Sequence, residues 1–258
     1  MMWYCALTPK RMSLPEHEAA SGQLPGSVPF FARTKPWGLP GAMRRAFLWI
    51  LCPVVALLAL FLAFGKPKGE AVGPYAGSVA YFASLGVGFI AVELSLLQHL
   101  TLLLGHPIFT LSILLFTLLA FGGFGSMKSA GVRLGPVCLG VAALAAVYAF
   151  ALPRVVPLLL PLPLGGRIAV AILVVAPLGF LMGMPFPRGL QMTGTGPFPM
   201  PPFYWGLNGI FSVVGSMATM MAAVVFGFTW AMVGGAVFYL AAALASRAFS
   251  RIPDPTAR

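Results

Sequence analysis

Apolar runs of about twenty residues recur along this chain, separated by short connections rich in charge, glycine or proline. Runs of that length, without the period-two alternation of barrel strands, predict helices long enough to cross a bilayer. Seven are expected, at about 44–64, 78–104, 107–125, 135–152, 167–185, 203–226 and 229–247. The predicted fold is therefore an all-α polytopic transmembrane helix bundle over 44–247. A polar, irregular tail over 1–43, carrying Pro9, Pro15, Pro25, Pro29, Pro36 and Pro40, precedes it, and a short tail over 248–258 follows. Pro53 marks a kink in the first span, and Pro107 suits the first turn of the third. The brief connections at Gly105–His106 and Gly227–Phe228 make antiparallel neighbours of the spans they join. The stretch PRVVPLLLPLPLGG at 153–166 is apolar but proline-rich, and reads as a surface or re-entrant connection.

Composition agrees with lipid as the main solvent. The 258 residues are 59% hydrophobic and only 8% charged, against roughly 25% charged in soluble domains. The net charge of +11 is spread over loops and tails rather than gathered on one basic helix. That distribution suits interfacial anchoring and anionic lipid, and does not suggest a nucleic-acid partner. Cys5, Cys52 and Cys138 form no CxxC pair and suggest neither a disulfide framework nor a zinc site. Orientation is weakly marked. With seven spans, Lys66, Lys68, Lys128, Arg133, Arg188, Arg247, Arg251 and Arg258 share one side. Arg154 and Arg167 share the other with Arg33, Lys35, Arg44 and Arg45, which slightly favours a cytoplasmic C-terminus.

Against this apolar background Glu93 stands out. It is the one formal charge in YFASLGVGFIAVELSLLQHLTLLL at 81–104. A carboxylate at that depth is costly and normally faces a partner, a cavity or the bundle interior. Ser95, Gln98 and His99 fall at i, i+3 and i+4, on a second polar face of the same helix. Two polar faces predict a helix buried among others. Two readings follow: a proton or cation relay or polar substrate pocket, and interhelical hydrogen bonding that only packs helices. In the sixth span Asn208, Ser212, Gly215, Ser216 and Thr219 form one small and polar stripe. It predicts either a packing seam or a cavity wall facing Glu93. The candidate substrate or proton site is thus Glu93, Gln98, His99, Asn208 and Ser212.

Gly179, Gly183, Gly215 and Ser216 are expected to pack helices; the first two bracket GFLMG at 179–183. Gly122-Gly-Phe-Gly-Ser at 122–126 predicts a tight exit from the third span. Met217, Met220 and Met221 read as apolar filler. His99 and His106 have the chemistry to ligate haem or a metal, but Gly105 and Pro107 interrupt the helix that would align them. No metal or other cofactor is expected. No GxGxxG after a strand, Walker loop, HExxH or GxSxG occurs, so no catalytic residue is assigned.

Three blocks resemble a known family: 86–126, GMPFPRGL at 183–190 and WGLNGIFSVVGSMATMMAAVVFGF at 205–228. Taken in order over about 75–247, they resemble the C-terminal membrane part of bacterial membrane-fused spermidine synthase-like proteins. SVPFFARTKP at 27–36 faintly resembles the segment that closes the soluble domain of those proteins. The resemblance implies a transporter-like membrane module in the bacterial inner membrane, working with a separate soluble spermidine synthase-like domain. The donor-binding glycine loop and the acidic cluster of that soluble domain have no counterpart in this sequence. The chain is therefore expected not to transfer aminopropyl groups by itself. The leading expectation is a transporter-like or substrate-handling membrane module with a buried polar site around Glu93. The rivals are a structural or assembly subunit without chemistry, and a membrane enzyme or haem or quinone protein using His99 and His106. The expected partners are the bilayer, the synthase-like domain and, as an option, further copies of the chain.

Overall fold

The computed structural model describes residues 72–194 and 200–247, together with Trp49. The described residues form helices and no strand. Seven helices follow in order: α1 (Val72–Leu104), α2 (Pro107–Met127), α3 (Leu134–Leu159), α4 (Leu164–Met182), α5 (Pro185–Gly194), α6 (Pro201–Phe226) and α7 (Phe228–Ala245). Among the described residues, six stretches are long and apolar enough to cross a membrane, α4 and α5 together making one of them. This is a multi-pass membrane protein with an all-α bundle. The expected span at about 44–64 and both tails lie outside the described residues, apart from Trp49.

Each turn has a local cause. Gly105, at φ 81, lets the chain leave α1 and re-enter at once through Pro107 in the first turn of α2. Gly227, at φ 89, does the same between α6 and α7. α4 ends where Pro185 and Pro187 remove two backbone donors, and the chain tightens through Gly183 and Met184 before α5 begins. The expected span at 167–185 corresponds to α4, and the short helix α5 follows its end.

The proline-rich stretch differs from its expectation. Pro153 and Pro157 lie inside α3, which runs on to Leu159, so the connection shrinks to 160–163. Pro153 and Pro157 take away the backbone donors of the Ala149 and Pro153 carbonyls, a loss that bilayer-spanning helices tolerate. Arg154 donates to the Phe150 carbonyl at 2.5 Å. Arg167 donates to the carbonyls of Leu160, Leu162 and Leu103, tying the ends of α3 and α1 to the start of α4. A guanidinium there complements the negative ends of two helices.

α1 is the hub. It packs most extensively against α7 and α6 and also touches α2, α3, α4 and α5. α3 lies against α7, and α2 against α4. Tyr81, Phe82, Val92, Leu96 and Leu100 of α1 are buried in the core with Cys138, Leu178, Leu207, Met232 and Tyr239 from the surrounding helices. We call the end where α1 begins the near face and the end where it finishes the far face. α1, α3 and α6 run from near to far; α2, α4 and α7 return. Lys128, Arg133, Arg188 and Arg247 then belong to the near face, Arg154 and Arg167 to the far face.

Candidate functional site

The contacts of α1 are decided by its small residues. A Cβ added at Gly86 would lie 2.4 Å from the Asn208 carbonyl oxygen, and one at Gly215 would lie 2.8 Å from the Val87 Cα. The α1 and α6 backbones are therefore in near contact. The Ser212 hydroxyl shares its one proton between two backbone carbonyls, that of Gly86 across this seam at 3.2 Å and that of Asn208 within its own helix at 2.9 Å. On another side of α1, Gly235 of α7 meets Val92 and Ala91, and Gly88 meets the Tyr239 ring.

Beside the α1–α6 seam lies a cavity of about 450 Å³, in the half of the bundle nearer the near face. Leu85 and Phe89 come from α1, Asn208 and Ser212 from α6, Ser126 from α2 and Tyr239 from α7. The remaining wall is the α4–α5 break: Met182, Gly183, Phe186 and Pro187. The Asn208 side-chain amide has no hydrogen-bond partner among the described residues. The break is held by α1. The fully buried Tyr81 hydroxyl donates to the Pro185 carbonyl at 2.8 Å. Phe82 stacks on Tyr204 at 5.0 Å and meets Phe186 edge-on at 5.8 Å. Gly189 leaves room for the Tyr81 and Phe82 rings.

The expected site residues do not gather. Asn208 and Ser212 line the cavity; Glu93, Gln98 and His99 do not. Glu93 is half-buried, four residues past Phe89, with no hydrogen bond or ion pair among the described residues. The contacts of Gly86 with Asn208 and of Val87 with Gly215 set the α1–α6 register. That register puts Glu93 at the level of Thr219, beyond the cavity. Gln98 is exposed, whereas Ser95 and His99 are buried, so the three do not form one buried face. Ser95 donates to the Ala91 carbonyl at 2.7 Å, and His99 Nε2 has no partner among the described residues. His106 sits on the exposed turn before α2. No group of three His, Cys, Asp or Glu suited to a metal occurs among the described residues.

The stripe on α6 divides in the same way. Ser212, Gly215 and Thr219 face the bundle, while Ser216 is half-buried and donates to Val213 in its own helix at 2.8 Å. Gly179 lies against Leu118 and Gly183 against Gly122, where α4 meets α2. Gly122 and Gly125 differ from their expectation. They lie within α2 and face α4, with Gly122 against Gly183 and Gly125 against Phe180, rather than shaping an exit.

Three features escaped the sequence reading. One is the aromatic group of Phe82, Phe186 and Tyr204, whose members are far apart in sequence. Another is the Tyr81 contact to the break, for which a tyrosine in an apolar run offers no signal. The third is Arg188. The MPFPR segment suggests a solvated cation, yet Arg188 is 2% exposed. Its Nε donates to the Val132 carbonyl at 3.3 Å and its Nη1 to Gln191 Oε1 at 3.4 Å, joining the α2–α3 turn to α5. Compared with known proteins, the chain is matched by no family model, no curated protein and no solved structure.

Proposed function

We propose that this membrane protein is a transporter-like, substrate-handling module that binds a small molecule in the cavity beside the α4–α5 break. One observation carries the reading: a cavity of about 450 Å³ walled by a broken helix and presenting the unpartnered Asn208 amide. Broken helices in membranes free backbone and side-chain groups where ligands are held. The volume falls within the ~300–1,000 Å³ common for small-molecule sites. By the positive-inside rule the near face, with four of the six described end-lying cations, is cytoplasmic. The resemblance noted above supports a bacterial inner-membrane setting and a soluble synthase-like partner docking on that face. Thiol labelling of single cysteines placed at Gly131 and Gly105 tests the orientation: the first should be reached only from the cytoplasm, the second only from outside.

The binding reading is tested by placing a photoreactive benzoylphenylalanine at Phe89, on the cavity wall, and at Phe116, which is 75% exposed on α2. Irradiation in native membranes should give a discrete small-molecule adduct at position 89 that is absent at 116. The same bulk-lipid adducts at both positions would refute it. The rival reading of a purely structural subunit has its own support, because the Ser212 hydroxyl is already engaged with two carbonyls. That rival predicts no discrete adduct at either position.

A further inference from the structure

We infer that the cavity takes an uncharged, single-chain amphipath from the bilayer, bound by an apolar body and a head group that both donates and accepts hydrogen bonds. This rests on the reading of the cavity as a binding site and names its ligand class. Among the described residues, none that lines the cavity carries a formal charge. Glu93 stands a turn beyond Phe89, outside the wall, and the described cations lie at the helix ends. An ammonium or a phosphate in this cavity would lose its hydration without gaining a counter-ion, which disfavours charged ligands. The same consideration disfavours a polyamine at this site, whatever its fate elsewhere on the protein.

The polar groups of the wall specify the head. The Asn208 amide offers donors and an acceptor, and neither it nor the exposed Ser126 hydroxyl has a side-chain partner among the described residues. Ser212 already donates to carbonyls, so toward a ligand it only accepts. A hydroxyl or a primary amide satisfies this set; an ester or ether, which only accepts, leaves Ser212 without a donor. The body would lie on Leu85, Phe89, Met182 and Phe186. Phe89 and Ser126 are exposed on membrane-spanning helices, which would let a ligand enter from the side. The volume leaves room for one chain and not two.

The test uses the full chain in phosphatidylcholine nanodiscs, with a diazirine-bearing long-chain alcohol as probe and a diazirine amine of equal chain length beside it. Labelled peptides are mapped by mass spectrometry. The alcohol should label 85–89 and 182–187, excess unlabelled monoacylglycerol should suppress that labelling, and excess spermidine should not. Asn208→Leu should weaken it about five- to tenfold, the weight of one lost hydrogen bond, with helix content unchanged. Preferential labelling by the amine, or suppression by spermidine, would overturn the ligand class and leave the site standing. Labelling no stronger than around Phe116 with either probe would instead remove the site, and the inference with it. Unchanged labelling in Asn208→Leu would show that the head group is not held where the inference places it.

Discussion

Two helix seams in this bundle are built from the same kind of residue and do different things. Between α2 and α4 the contact is glycine on backbone: Gly122 against Gly183, Gly125 against Phe180, Gly179 against Leu118. Between α1 and α6 the contact is again glycine on backbone, at Gly86 and Gly215, but Asn208 and Ser212 are set among the small residues. The first seam carries no polar side chain in those contacts. The second brings Asn208 and Ser212 to the cavity, which the end of the first borders through Ser126 and Gly183. Small residues in a membrane helix therefore announce close approach. What the seam is used for depends on whether a polar group beside it remains without a partner.

The largest expected effects come from breaking the close approaches themselves. Replacing a helical glycine by alanine normally gains about 1 kcal/mol. At Gly125 and Gly183 the sign should reverse, because the added Cβ would lie 2.0 Å from the Phe180 oxygen and 2.1 Å from the Gly122 oxygen. Overpacking of this kind costs about 1–3 kcal/mol. Gly125→Ala and Gly183→Ala should each lower the thermal midpoint in detergent, and the double variant should fall short of additivity because both changes push the same two helices apart. An unchanged or raised midpoint would mean that α2 and α4 are not in backbone contact.

Gly86→Ala should follow, and it sharpens the comparison because the two seams respond differently. Its Cβ would lie 2.4 Å from the Asn208 oxygen. Relief requires α6 to move, and Asn208 moves with it. The variant should lose stability and, in the photolabelling experiment, lose cavity labelling as well. Gly125→Ala should lose more stability relative to its effect on labelling. Equal ratios for the two variants would mean that the seams are interchangeable.

The sequence made the helices legible and left their mutual register unread. Apolar runs, Pro107 and the short glycine turns suffice to locate α2, α6 and α7, because each signal is local. The small-residue spacing of Gly179 and Gly183 is a local signal of the same kind. Pro153 and Pro157 misled because a rule for helices in water was applied to a segment whose alternatives are worse in lipid. Gly122 and Gly125 misled because a glycine near a helix end suits both a turn and a seam, and only the partner helix decides. The candidate site suffered most. Asn208 reaches the cavity and Glu93 stops about 10 Å short of the Gly86 level, at ~1.5 Å per residue of helix. That distinction follows from how α1 slides along α6, which no periodicity on either helix reveals. The burial of Arg188 depends likewise on where the α2–α3 turn folds back.

Smaller effects separate packing from binding within the α1–α6 seam. Ser212→Ala removes a hydroxyl engaged with two carbonyls and should cost about 0.6 kcal/mol, the average for interhelical hydrogen bonds in a membrane. Its effect on cavity labelling should be slight, because Ser212 offers the ligand only a lone pair. Asn208→Leu should do the reverse: little change in midpoint, since the amide holds nothing within the described protein, and a clear loss of labelling. If the two variants exchanged places, Ser212 would be the binding residue and Asn208 the adhesive.

The smallest effect is expected at the residue that dominates the sequence. Glu93 is half-buried, stands outside the cavity and has no hydrogen bond or ion pair among the described residues. Glu93→Gln preserves its shape and removes its capacity for charge. With no partner to lose, stability should stay within about 0.5 kcal/mol of the parent, the range for substitutions away from structural features. Labelling of 85–89 by the long-chain alcohol should also be unchanged. A fall as large as that in Asn208→Leu would place the carboxyl in the cavity, and the wall would then be charged and the ligand class wrong. A separate outcome bears on the relay expected from the sequence: loss of a pH-driven flux in Glu93→Gln, with cavity labelling intact, would give the protein two independent sites on one helix. One would lie on the α6 seam near the near face, and the other a turn deeper in the membrane.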